Sequence, residues 1–190
     1  MVNKIKNYKK PVPSASCIQL SSNNSWRNII SFIADDEDGN VHLNSSDVLA
    51  EQTRALHPVY NYEKIYLDAY KQVSTPAGDR YPDVNTAILN RINAGCLIMN
   101  WVGHGGETNW AHERIFNMAD IVPLENKEKL PMFITATCDF SRFDLHDRTA
   151  GEWLIVNGKG GGIASLTTVR LVYSSGNAVL NGIPVTIEPA

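Results

Sequence analysis

Apolar residues along this chain come in short unbroken runs, each closed by a polar or glycine-rich cluster. The run "NIISFIA" (28–34), stopped by "DDEDGN", has the β-branched and aromatic make-up of a strand buried on both faces. "SSDVLAEQTRAL" (45–56) follows with apolar residues at helical spacing and Ser or Asp placed as an N-cap. The alternation repeats: "KIYLDAY" (64–70) as a strand, "PDVNTAILNRINAG" (82–95) as a helix ended by Gly95, and "CLIMNWV" (96–102) as a strand. Beyond a helical or irregular connection carrying "ERIFNMADIVPL", the pattern predicts a strand over "PMFITAT" (131–137), a helix over "RTAGEWLIVNG" (148–158) and a fifth strand over "GGIASLTTV" (161–169). Apolar strands alternating with helices predict an α/β fold in which a parallel-rich sheet carries helices on both faces.

Composition narrows the function more than the fold. With 190 residues and 43% hydrophobic content, one domain is expected. A net charge of −3 with acids and bases interspersed gives no footprint for nucleic acid or an anionic membrane. Residues 1–25, with the basic "KIKNYKK", read as an extended or disordered lead-in and a solvated tail. No apolar run approaches the roughly 20 residues of a membrane span, and the N-terminus lacks the apolar region of a signal peptide. Three cysteines, at 17, 96 and 138, are odd in number and lack CxxC spacing, which argues against a disulfide framework or a zinc site. No cofactor or metal is expected, beyond a structural Ca²⁺ in the acidic loop. "NGKGGG" (157–162) precedes a strand and so lacks the geometry of a phosphate loop.

Two loops carry the candidate chemistry. His104, in "NWVGHGGETNW", lies two residues beyond one predicted strand, and Cys138, in "FITATCDF", directly follows the next. Ligands of open parallel sheets bind at the carboxyl ends of strands, so both side chains emerge at one edge. A thiol is a nucleophile as thiolate, and an imidazole that accepts its proton can return it to a leaving amine. Gly103, Gly105 and Gly106 leave room for a peptide backbone, and the N–H groups of Gly105 and Cys138 are candidate oxyanion donors. Glu107 joins Gly103 and Gly106 as a candidate substrate contact. Asp35 or Asp36 is placed to orient the imidazole, with Asp35 taken as the orienting acid. Cys96 reads as core and Cys17 as incidental. His42, His57, His112 and His146 read as surface residues, with His112 kept in view for its closeness to His104.

"NWVGHGGETNWAHERIF" together with "LPMFITATCDFSRFD" resembles the gingipain-like cysteine peptidases, most of all the signal-peptidase and sortase branch that serves type IX secretion. The resemblance extends from about Trp26 to Tyr173. It implies a caspase-like fold, with His104 and Cys138 as catalytic histidine and nucleophile. It places a partial peptidase domain at 26–181 and leaves 182–190 as a tail without family match. It further implies a cell-surface or outer-membrane enzyme that removes C-terminal targeting domains from secreted cargo and works beside other secretion components. In the sortase form an amine of a lipopolysaccharide acceptor attacks the thioester instead of water. The rival expectation is a truncated module that binds cargo or a secretion component without catalysis.

Overall fold

A computed structural model describes residues 2–8 and 25–182 of the chain. Cys17 and residues 183–190 of the predicted tail lie outside the described residues.

Five strands form one sheet: β1 (Ile29–Ala34), β2 (Asn61–Tyr66), then, after a small hairpin of β3 (Val73–Thr75) and β4 (Gly78–Arg80), β5 (Ile98–Val102), β8 (Met132–Ala136) and β9 (Ala164–Thr167). A second two-stranded ribbon, β6 (Asn109–Trp110) with β7 (Phe116–Asn117), lies between β5 and β8 in the chain. The order across the sheet is β2-β1-β5-β8-β9, and every neighbouring pair is parallel. Chain direction across the sheet therefore reverses at β1: the next strand, β2, lies on one side of it and β5 on the other. That reversal opens a crevice beyond the carboxyl ends of β1 and β5.

Helices α2 (Val41–Leu56), α3 (Pro82–Ala94), α4 (Met118–Ile121), α5 (Ala150–Val156) and α6 (Ser174–Gly182) connect and follow the strands. Alternate residues of β1 face opposite sides, as strand geometry requires. Ile33 joins a large core with Val84, Ile88 and Ile92 of α3 and Leu154 of α5, whereas Ile30 and Phe32 pack against Leu49 and Ala50 of α2. The sheet is thus covered on both faces, as the unbroken apolar strands predict.

Boundaries moved where the chain breaks the run-based pattern. α2 begins at Val41, four residues before the expected Ser45, because Asn40 at φ 67 ends the preceding turn and starts the helix there. β2 occupies Asn61–Tyr66, and the expected strand residues Leu67–Ala69 form a 3-10 turn. Gly95 does cap α3, at φ 91, where a Cβ would lie 2.9 Å from that of Trp26.

The lead-in also departs from expectation. Val2–Tyr8 is a helix, α1, and Lys4 is buried instead of solvated. Its ammonium donates to the carbonyls of Leu154 and Ile155 in the last turn of α5 and to that of Gly162 beyond it, at 3.4, 3.0 and 3.2 Å, which sets a cation at the helix C-terminus. Burial pushes the Lys4 pKa down to about 8. Arg27 lies over the rings of Tyr8 and Trp26 and donates to the Tyr8 carbonyl at 2.9 Å.

Candidate active site

The β5 and β8 register pairs Val102 with Ala136, and His104 and Cys138 each stand two residues beyond that pair. The Gly103 N–H continues the ladder to the Ala136 carbonyl at 3.2 Å. Sheet pairing therefore sets the imidazole loop beside the thiol loop. The two loops also touch: a Cβ on Gly105 would run into Oγ1 of Thr137, the residue before Cys138. Among the described residues, neither the Gly105 nor the Cys138 N–H has an acceptor, which leaves both amides available to an oxyanion. Cys138 is half-buried, and its Sγ lies 3.6 Å from the Val172 carbonyl. Cys96 is fully buried, with burial pushing its thiol up to about 12.

An aromatic cluster supports both loops from below. Trp101 Nε1 donates to the His104 carbonyl at 3.2 Å, and the Trp101 ring stacks on Trp110 at 5.5 Å between centroids. Trp110 bridges back to Gly105 through the main chain. It also meets Phe140, two residues past Cys138, at 5.7 Å. Trp101, Trp110 and Phe140 are all fully buried.

The acids arrive from the loop after β1. Asp35 is fully buried, and its carboxylate accepts the His104 main-chain N–H at 2.8 Å and the Asp36 N–H at 3.1 Å. Asp35 thus fixes the backbone of the histidine loop and not its ring, which corrects the orienting role expected for it. Burial raises its pKa, against the opposing pull of the His104 N–H. Gly103 is the residue that admits this contact, since a Cβ there would lie 2.8 Å from Asp35 Oδ2. Asp36 accepts the Tyr81 hydroxyl at 2.6 Å, and burial together with that carboxylate raises the phenol pKa.

The imidazole is instead met by Asp38 Oδ2, 3.0 Å from Nε2, and Glu37 Oε2, 3.5 Å from the same nitrogen. A carboxylate at Nε2 holds the ring proton there and leaves the Nδ1 lone pair to accept a proton from a thiol. Asp38 reaches this place through an unusual backbone. Asp38, Gly39 and Asn40 are three consecutive left-handed residues, with φ of 57°, 62° and 67°. Asp, Gly and Asn are the residue types that tolerate this region, and non-glycine residues held there concentrate at functional sites.

Two more histidines flank His104. The His112 ring stacks on it at 5.1 Å and 18°, while Glu37 accepts from or pairs with His112 Nδ1 at 3.0 Å and raises its pKa. His42 meets His104 edge-on at 5.0 Å. Unlike the surface residue expected from its polar sequence context, His42 is 7% exposed. Burial first, and then the neighbouring His104, push its pKa down. The Asp38–His42 spacing of four residues at a helix start was the available signal for this pair.

Of the candidate substrate contacts, Gly106 opens onto free space. Gly103 is packed against Asp35, and Glu107 is engaged structurally. Glu107 pairs with Arg142 at 3.5 Å, and its carbonyl accepts the N–H of Ala150 at the start of α5 at 2.7 Å.

Asp35→Ala removes two hydrogen bonds from the backbone that carries His104 without touching the imidazole. Turnover is expected to fall about 10²-fold, the usual cost of a small misplacement, with KM unchanged. Asp35→Asn, which retains an acceptor for His104, should restore part of it. A rise in KM with unchanged kcat would show that Asp35 serves substrate binding instead.

A parallel α/β sheet with a thiol and an imidazole at adjacent strand ends, acids beside the imidazole and two amides without acceptors among the described residues is the arrangement expected of a thiol-peptidase type of domain. The sequence profile described as peptidase family C25 matches residues 1–185, and the chain belongs to that family. The match extends past both ends of the 26–181 span. The chain is similar to Lys-gingipain of Porphyromonas gingivalis, 29% identical over 93 residues, which is 49% of this chain and 5% of that protein. Its fold is similar to that of the Arg-specific cysteine proteinase gingipain R, with a TM-score of 0.69 at 20% identity over 97% of this chain and 40% of the other. It is also similar to the complex of the pro- and mature domains of the Porphyromonas gingivalis RgpB protein, with a TM-score of 0.71 at 18% identity over 99% and 42%. The chain therefore has a gingipain-type caspase-like fold and spans less than half of each of these relatives.

Proposed function

We propose that this chain carries out thiol peptidase chemistry, with Cys138 as nucleophile and His104 as general base and acid, in the PorU-like signal-peptidase and sortase mode. The observation that carries the reading is the placement of His104 and Cys138 at in-register ends of adjacent parallel strands. In this reading the Cys138 proton passes to His104 Nδ1, and Sγ attacks the scissile carbonyl carbon. The N–H groups of Gly105 and Cys138 stabilise the resulting oxyanion. The C–N bond then breaks, His104 returns the proton to the departing amine, and a thioester remains on Cys138. Water, or in the sortase mode an amine of a lipopolysaccharide acceptor, attacks that thioester and regenerates the thiol.

The surroundings of the thiol suit an extended peptide substrate. Phe143, Leu171 and Tyr173 are 67%, 80% and 88% exposed, the Val172 carbonyl lies 3.6 Å from Cys138 Sγ, and the Arg170–Asp144 pair joins the two segments that carry these side chains. Apolar side chains exposed on the segments that flank the thiol are available to the side chains of a bound peptide. Cleavage of C-terminal targeting domains from type IX cargo at the cell surface, beside other secretion components, is the substrate and setting proposed. Among the described residues no helix is long and apolar enough to cross a membrane.

Iodoacetamide labelling followed by peptide mapping tests the pair directly. At pH 6, Cys138 is expected to alkylate far faster than Cys96, and His104→Ala should slow Cys138 at least about 10-fold while leaving Cys96 silent. Equal Cys138 labelling in wild type and His104→Ala would favour the non-catalytic, cargo-binding reading.

A further inference from the structure

We propose that Asp38, His42 and His104 form a transition-metal site, best suited to Zn²⁺, that switches the peptidase off by occupying its base. One donor atom from each of the three side chains lies within 4.8 Å of the others. Asp38 Oδ2 sits between the two imidazoles, 3.0 Å from His104 Nε2 and 3.4 Å from His42 Nε2. Ligands about 2.0–2.2 Å from a tetrahedral zinc stand about 3.3 Å apart, so small side-chain rotations bring all three into place.

His42 supplies an independent reason to expect a ligand here. Its ring is more than nine-tenths buried, and Nε2 is aimed at the cluster with no hydrogen-bond partner, although Asp38 lies at ionic distance. A buried ring nitrogen met by a carboxylate at 3.4 Å without hydrogen-bond geometry is poorly satisfied, and coordination to a metal would satisfy it. His104 and Asp38 remain open to solvent, at 34% and 59% side-chain exposure, so an ion can enter and a water can fill the fourth position. Two imidazoles and one carboxylate are a donor set for zinc or a neighbouring transition metal. Ca²⁺, which the acid count of this loop suggests, takes six to eight oxygens.

The consequence for chemistry follows from the tautomer. A metal on His104 Nε2 takes that nitrogen's lone pair, so the single proton of the neutral ring moves from Nε2 to Nδ1. That nitrogen then cannot accept the proton of Cys138. This inhibitory consequence rests on the peptidase reading; the site itself does not.

Competition of the full chain against a chromogenic chelator, titrated with Zn²⁺, tests the site. One Zn²⁺ per chain is expected, with His42→Asn and the solvent-exposed Asp38→Asn each weakening binding at least about 100-fold, the upper end of what losing a mere supporting residue costs. Cys138→Ala should leave the affinity unchanged, and Ca²⁺ in excess should not compete. Absence of saturable binding, retention of wild-type affinity in Asp38→Asn, or loss of it in Cys138→Ala would each overturn the proposal. Stoichiometric Zn²⁺ that leaves His104-dependent alkylation of Cys138 undiminished would overturn its inhibitory part. Failure of the peptidase reading shows separately, as metal-free labelling of Cys138 that ignores His104.

Discussion

Cys138→Ala is expected to lower processing of a type IX cargo protein by at least about 10³-fold, the loss usual for a missing nucleophile. No other described thiol can take over, because Cys96 lies at the bottom of the sheet core with its proton held to about pH 12. The substitution itself removes little from the fold. Cys138 is half-buried, and its Sγ makes a long approach of 3.6 Å to the Val172 carbonyl. A circular dichroism spectrum and melting temperature close to wild type should therefore accompany the loss, which separates chemistry from unfolding. Cargo processed by Cys138→Ala at the wild-type rate would sink the catalytic reading. Cargo bound but not processed by either protein would support the binding-module alternative.

Trp110→Ala is expected to carry the largest stability cost of any single truncation near the site. The ring is fully buried and packs against Trp101, Phe116, Phe133 and Phe140, with centroids 4.9–6.1 Å away. Deleting a side chain of this size from a core costs about 3–5 kcal/mol, comparable with much of the stability of a small domain. Urea unfolding reads that loss directly. Trp110 also links the two loops, so the residual folded fraction should show slowed Cys138 alkylation at pH 6. Trp110→Phe, which refills most of the volume, should recover most of both. Indole Nε1 is buried without a partner, so losing it alone costs no hydrogen bond.

Most of the sheet was legible because its inner strands are buried on both faces and appear as continuous apolar runs; β1, β5 and β8 fall within one or two residues of expectation. The edge strand β2 was not. Glu63 and Lys64 lie in its middle, satisfied by Arg91 on α3 and by Asp47 and Glu51 on α2. Partners that far along the chain are invisible to local pattern, so the reading slid toward the more apolar Leu67–Ala69. The placement of His104 and Cys138 at adjacent strand ends was legible because each follows an unbroken apolar run. The acid that meets the imidazole was mistaken by three residues, since a left-handed turn over Asp38–Asn40 swings Asp38 forward while Asp35 turns inward to the main chain. His42 was missed for a related reason: it sits 62 positions before His104, and only the packing of α2 beside β1 and β5 brings it near.

The pairing of Val102 with Ala136 has a consequence for how this site can vary. Residues 105–130, between the histidine and the strand that delivers the thiol, can lengthen or shorten at their exposed turns without moving either reactive group, because the ladder measures their separation. A single residue inserted within β8 does the opposite. It shifts Cys138 by one pleat and turns the thiol toward the other face of the sheet. Loop-length tolerance and strand-length intolerance are thus the mark that this geometry leaves on any set of variants that still works.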